Sequence, residues 1–461
     1  RRHTRYWRDW SSDVCSSDLM DSGIGIGGLN TSSEEFVESK FDLFSKVEYE
    51  TGIEKIVSQT FRPISTTSSM GPFSFIIPSD PEKFTNIESL RLHGKMRIGK
   101  KDGDKFVKLE DENVSTVNNI FNSLWSSIST KLNGYEISDP SSHWYAYKSY
   151  FENHLSYSSS SKENILSFKG YYPDTIDKFD DVTSTSANKG FKKRKKEFEK
   201  SQWRHFCINL HADITTIRKY IPPGVKIEID LERNDDKFCL LTDDTANEFV
   251  IELEDLKLRL DRIIASDPVN RYYFENKKAN VRLPIDRSMI KSYLVNANRS
   301  DLTDHNIITG SQLPEQVIVA IVDEKAFRGD LTKNPYYFKH YDIIEASLIV
   351  NGEHEPGDLY KLDGGNKVDV YASFLENTGI STDDREFGIT LDDYYGGSFL
   401  LVWDRTQDRC NRFHRHIPDS GTMSINIKSK RELTDTVRVI VYATYSKDLI
   451  IDQDNNVTTF I

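Results

Sequence analysis

Ile221-Pro-Pro-Gly-Val-Lys-Ile-Glu-Ile229 and its counterpart Ile417-Pro-Asp-Ser-Gly-Thr-Met-Ser-Ile-Asn-Ile427 are the stretches on which the fold turns. Each is an Ile-Pro turn whose Gly leads into an alternating strand. In the first, Val225, Ile227, Ile229 and Leu231 alternate with Lys226, Glu228 and Asp230; in the second, Met423, Ile425 and Ile427 share one parity. A period of two puts one set on a core and leaves the other in water. The same device in both halves of the chain points to an internal duplication.

Working outward, three more landmarks recur in the same order. Leu132-Asn133-Gly134 and Val350-Asn351-Gly352 are hairpin turns, because Asn-Gly accepts the positive φ angles of a type I′ turn. Each is followed by an aromatic, helical segment, Tyr147-Lys-Ser-Tyr-Phe-Glu-Asn153 and Tyr371-Ala-Ser-Phe-Leu-Glu-Asn377. Each half closes on a long strand, near Glu248 to Leu260 and Thr436 to Tyr445. The spacings differ, but the ordered set describes two copies of one β-sandwich, each needing two sheets to bury its alternating faces. Ser266 to Ala279 reads as a helical connector opened by an Asp-Pro cap.

Further strands fit the same reading. Leu90, Leu92, Met96 and Ile98 alternate with Arg91, His93, Lys95 and Arg97, and Val437, Val439, Val441 and Ala443 share one face. Val317 to Val322 is apolar on both faces and reads as a buried strand. Around Asp255 the inward parity slips from Phe249, Ile251 and Leu253 to Leu256, Leu258 and Leu260, which predicts a β-bulge. Ser156 to Gly190 is polar enough to read as a long surface excursion. The basic run from Phe191 to Lys196 reads as a solvated helix, with nuclear import or genome contact through Lys192–Lys196 as alternatives.

Composition bounds the remaining choices. Residues 1–19, RRHTRYWRDWSSDVCSSDL, read as a translated sequencing adapter preceding a natural start at Met20; setting aside four Arg and three Asp moves the net charge from −12 to −13. Twenty-two Tyr and twenty-five Phe against five Met lean toward β structure. No apolar run approaches the roughly 20 residues of a membrane span, and an acidic chain is a poor whole-surface binder of phosphate backbones. Beyond Cys15 there are Cys207, Cys239 and Cys410, an odd count that fits a reduced compartment better than a disulfide framework. The sequons at Asn113 and Asn456 read as chance matches. The Gly-rich DSGIGIGGLNTSS after Met20 lacks a phosphate loop's preceding strand and its Lys-Ser/Thr, and reads as an arm.

The ordered landmarks resemble the double jelly-roll major capsid proteins of Polinton/Maverick elements and adintoviruses and, more distantly, of the nucleocytoplasmic large DNA viruses. The matching blocks are Val117 to Tyr150, Leu210 to Ile229, Leu313 to Asp323 with Asn334 to Tyr341, and Phe399 to Tyr445. The resemblance covers roughly Phe73 to the C-terminus. It implies an all-β chain of two tandem jelly-roll β-sandwiches with short interposed helices: a flexible arm over 20–70, a first jelly-roll over 71–262, a helical connector over 263–280 and a second jelly-roll over 281–461. It implies homotrimers that act as pseudo-hexameric capsomers of an icosahedral shell, beside neighbouring capsomers and a minor capsid (vertex) protein. The expected location is the virion capsid, with assembly in host cytoplasm or nucleus. The alternatives are a minor capsid protein of the same kind of element, which would ordinarily carry one jelly-roll, and a carbohydrate-binding or hydrolytic β-sandwich.

No catalytic motif is present: GxSxG, a Walker loop and HExxH are absent. His205, Cys207 and His211 form one soft-ligand cluster and Cys410, His414 and His416 another, but neither has the CxxC or HxxxH spacing of a zinc site, so both read as packing or surface residues. The acid pairs Asp383-Asp384 and Asp392-Asp393 read as solvated loop acids, because neighbours on a strand point to opposite faces; calcium is the minor alternative. The expectation is a building block with no catalytic, cofactor or metal residues.

Overall fold

A computed structural model describes residues 49–64, 71–103, 105–138, 144–361, 367–380, 386–410 and 414–460. Eight strands of the first half form two sheets. They are β1 (Ile53–Phe61), β2 (Phe73–Ile77), β3 (Phe84–Asp102), β4 (Trp125–Leu132), β5 (Tyr135–Glu136), β6 (Arg204–Asn209), β7 (Ile227–Arg233) and β8 (Phe249–Ala265). One sheet runs β1-β8-β3-β6, the other β2-β7-β4-β5.

The second half repeats this arrangement strand for strand. Its members are β9 (Val281–Val295), β10 (Asp304–Gln312), β11 (Gln316–Asp323), β12 (Ile343–Val350), β13 (Glu353–Lys361), β14 (Leu400–Asp404), β15 (Ser420–Ser429) and β16 (Val437–Ile451). The sheets run β9-β16-β11-β14 and β10-β15-β12-β13. Adding eight to each strand number of the first half reproduces the second. Eight antiparallel strands in two such four-stranded sets make a jelly-roll, and the chain contains two; short extra strands, Lys105–Lys108 beside β3 and Val457–Phe460 beside β16, widen one sheet of each, and Val114–Thr116 pairs separately with Leu240–Thr242.

The four landmarks fall on equivalent places. The Asn-Gly turns join β4 to β5 and β12 to β13, and Asn133, Gly134, Asn351 and Gly352 all take positive φ. The aromatic segments become α1 (Tyr145–Ser156) and, later in the chain, Lys367–Asn377, each after its hairpin. The alternating strands after the Ile-Pro turns are β7 and β15, and the closing strands are β8 and β16.

Burial follows the alternation. Leu90, Leu92, Met96 and Ile98 of β3, Ile227, Ile229 and Leu231 of β7, and Met423, Ile425 and Ile427 of β15 are all buried. The bulge lies where the parity slips: pairing of β8 with β3 shifts between Glu254 and Lys257, and Asp255 takes φ 53°. The extra residue returns Leu258 to the core opposite Leu92.

Four expectations need correction. Ile53–Phe61, expected within the arm, is β1, paired along β8. It is an edge strand with no fully buried residue, held by backbone pairing to β8, and its apolar Ile53, Ile56, Val57 and Phe61 do not keep one alternating parity. In β16, Ile440 and Tyr442 are buried as well as the opposite set, because α1 of the first half covers that face: Phe151 meets Tyr442 at 6.0 Å between ring centroids. The connector helix, α3 (Asp267–Asn276), has Ser266 at its N-cap position without a side-chain capping bond, and Asp267 and Pro268 lie inside its first turn. The polar excursion after Ser156 buries Leu166, Tyr171, Phe179, Val182 and Asn188.

Candidate functional site

The two jelly-rolls share one continuous core, and the seam between them is where the molecule's unusual side chains gather. Its first component is aromatic. α1 presents Tyr147, Tyr150 and Phe151 to residues 324–341 of the second half. Tyr150 stacks on Tyr336 at 4.1 Å, Tyr147 on Phe327 at 5.7 Å, and Phe151 meets Phe338 at 5.6 Å. Trp144 adds a contact with Phe327 at 4.3 Å. Ring pairs of this kind contribute roughly 0.5–1.5 kcal/mol each beyond their area. The Tyr336 hydroxyl is satisfied by Ser123 Oγ.

The second component is ionic. Lys148 of α1 pairs with Asp213, both buried, and Asp213 accepts hydrogen bonds from Ser288 Oγ (2.8 Å) and Ser288 N (3.3 Å) of β9. One helical turn on, Glu152 accepts from Tyr442 Oη of β16 at 2.9 Å and lies 2.6 Å from His211 Nδ1. Burial pushes the Glu152 carboxyl up, but Lys148, His211 and Tyr442 together outweigh it and hold it below the usual carboxylate range. These groups line a cleft of about 400 Å³. Every acid there already has a cation or donor, so the arrangement orients two domains.

The third component corrects part of the reading of the basic run as a solvated helix: the helix forms, but one face of it is buried. It forms α2 (Lys189–Glu197), whose Lys192, Lys193 and Lys196 are exposed, but Phe191 and Arg194 are buried. Arg194 meets Asp174 at 2.6 Å and donates to the carbonyls of Thr116 (Nε, 2.7 Å) and Tyr172. The other oxygen of Asp174 accepts from Asn334 Nδ2 of the second half at 3.0 Å. Nearby, Asn334 N donates to Asp180 at 2.8 Å, and buried Lys162 donates to the Phe387 carbonyl. The excursion is therefore a strap across the seam. A charge sequence could not disclose which of the five basic residues turns inward.

The two His/Cys clusters behave differently. His205 and Cys207 lie on β6, where Cys207 Sγ stands 3.6 Å from His93 Nε2, while His211 belongs to the Glu152 network at the seam. That trio does not converge. Cys410, His414 and His416 do converge, and Asp408 joins them: the four ligand atoms lie within 4.8 Å of one another. The sequence spacing did not anticipate this convergence, because a loop, and not a regular element, brings the residues together. The signal in the sequence was the acid two residues before the cysteine. Asp392 and Asp393 sit in the first turn of the helix Leu391–Tyr395, where Asp393 closes a capping box with Thr390; they are not on a strand. Asp383 and Asp384 lie outside the described residues.

Comparison with solved structures finds the same architecture in viral shells. A chain of the Sputnik virophage structure superposes with TM-score 0.62 at 10% identity, covering 94% of this chain and 93% of the other. The chain has the capsid double jelly-roll fold. The Faustovirus major capsid protein matches with TM-score 0.56 at 9% identity, covering 88% and 92%. The mavirus major capsid protein gives 0.53 at 10% identity, covering 94% and 96%. No family model matches the sequence. A curated relative, an uncharacterized protein of Caenorhabditis elegans, is 21% identical over 321 residues, 67% of this chain and 73% of the relative. In this double jelly-roll the seam is the internal joint that sets the angle between the two sandwiches.

Proposed function

We propose that this double jelly-roll is a major capsid protein that forms trimeric, pseudo-hexameric capsomers of an icosahedral DNA virus or virus-like transposable element. The observation that carries the proposal is the strand-for-strand equivalence of the halves. One chain supplies two similar wedges, first jelly-roll and second, on either side of a connector over 263–280, and three chains then approximate a hexagon. The seam supports it, since a tile needs its wedges locked at one angle, and stacked rings with the buried Lys148–Asp213 and Arg194–Asp174 pairs give a rigid joint. Val269, Tyr272 and Phe274 stand exposed on α3, apolar surface of the kind that copies of a shell protein cover in one another. The role is structural and non-enzymatic. Within this class, a Polinton-type source, free or integrated, is the one the sequence resemblance implies. Partners would be two further copies, neighbouring capsomers and a minor capsid (vertex) protein, in the virion and, during assembly, in host cytoplasm or nucleus.

Light scattering on a size-exclusion column tests the reading. The chain of 53.2 kDa should elute at three times that mass, with an interface above roughly 2,000 Å², and negative-stain images should show hexagonal outlines. A monomer persisting at high concentration overturns the tile.

A further inference from the structure

The loop joining β14 to β15 gathers ligands without building a core. Among its described residues from 407 to 420 none is buried, and Ile417 is 82% exposed. Apolar packing of these described residues therefore does not order it. Yet Asp408, Cys410, His414 and His416 aim their ligand atoms at one point. His414 Nε2 is 2.9 Å from Asp408 Oδ2, and His416 Nε2 is 3.1 Å from Asp408 Oδ1 and 3.3 Å from Cys410 Sγ. The two imidazole rings lie 4.8 Å apart between centroids.

We propose that Asp408, Cys410, His414 and His416 form a structural zinc site that staples this loop. Tetrahedral zinc with bonds of about 2.3 Å to sulfur and about 2.0–2.2 Å to nitrogen and oxygen holds its ligand atoms roughly 3.3–3.7 Å apart. A cluster whose atoms all lie within 4.8 Å reaches that geometry by side-chain rotation alone. Thiolate and imidazole select zinc over magnesium or calcium, which require an oxygen cage. One thiolate and one carboxylate neutralise the ion. Four protein ligands fill the coordination shell, so the site is closed and structural, with no position for a reacting water. A metal of this kind supplies the order that a core would give elsewhere. It would also fix Arg415, between the two histidines, which reaches Asp448 of β16 at 2.9 Å and Asp286 of β9 at 3.7 Å. The inference is independent of the capsid reading.

The test uses the full chain, incubated with zinc chloride, desalted and analysed for metal. One zinc per chain is expected, falling to background in Cys410→Ser and in His416→Ala but retained in Cys207→Ser. Cobalt in place of zinc should give the intense visible bands of a tetrahedral ion and a thiolate charge-transfer band, the latter lost in Cys410→Ser. Circular dichroism of the variants shows that the sandwiches remain folded. As an independent measurement on the unmutated chain, zinc at ten times its Kd should slow tryptic cleavage after Arg409 and Arg415 roughly tenfold by mass action. Equal zinc content in the wild type and both ligand variants, an octahedral cobalt spectrum, or cleavage indifferent to zinc would each overturn the site.

Discussion

Tyr150 of the first jelly-roll and Tyr336 of the second stack face to face, their ring centroids 4.1 Å apart and their planes 4° from parallel. Both side chains are buried, so the stack joins the two halves through their shared core. Tyr336 also meets Tyr147 and Phe238 edge-on. Its replacement by Ala should remove about 3–5 kcal/mol. Urea unfolding of Tyr336→Ala should separate into two transitions, one per jelly-roll, where the parent shows one. A single transition with an unchanged midpoint would show that the seam does not couple the halves.

Arg194 and Asp174 are each 1% exposed, and breaking a buried pair leaves an uncompensated charge. Asp174→Asn or Arg194→Leu should cost about 3–5 kcal/mol. Lys192→Ala on the wet side of the same helix should stay within about 0.5 kcal/mol. Chemical denaturation of the three variants distinguishes a strap from a solvated helix; equal midpoints would refute the strap.

Acid should loosen the seam through His154. Burial first, and the Lys162 charge second, hold its imidazole well below the ordinary value of 6.5. Its Nδ1 lies 2.8 Å from Tyr171 Oη, and its Nε2 has no hydrogen-bond partner among the described residues. The folded state therefore keeps the ring neutral while the unfolded chain protonates it. This contribution to stability is full above pH 6.5 and declines as pH falls, by up to about 1.4 kcal/mol per unit. Glu152, whose carboxyl is held low, adds its loss only at more acid pH, as pH falls through its folded value. Stability measured from pH 7.5 to 5 should show a slope that His154→Gln removes. An identical slope in the variant would assign the effect elsewhere.

Asp255 occupies the left-handed region at φ 53°, which Gly adopts freely and β-branched residues resist. Asp255→Val should cost about 1–2 kcal/mol, and Asp255→Gly should be near neutral. Thermal midpoints of the pair read the bulge directly; equal losses in both would mean the side chain, which pairs with Lys257 at 2.9 Å, matters more than the backbone.

What was legible in the sequence was local. An Asn-Gly turn, an alternating strand and a parity slip at Asp255 each depend on a few neighbouring residues, because φ preference and the two-residue pleat are short-range. Their ordered recurrence sufficed to read two copies of one sandwich, and the strand orders agree. β1 escaped because an edge strand is held by backbone bonds to β8, which leave no pattern in side-chain type.

The amino-acid order by itself determined the fold class, the duplication and the turns that set strand register. Tertiary structure alone decided which basic residue is buried, that Asn334 closes on Asp174, and that Asp408 completes a set of ligands with Cys410, His414 and His416. Those pairings join residues distant in the chain or carried on an irregular loop, where no helical or strand period relates one side chain to the next. For Arg194, Asp174 and Asn334 that proximity is a property of the packed sandwiches; for the loop set it comes from the path of an exposed loop.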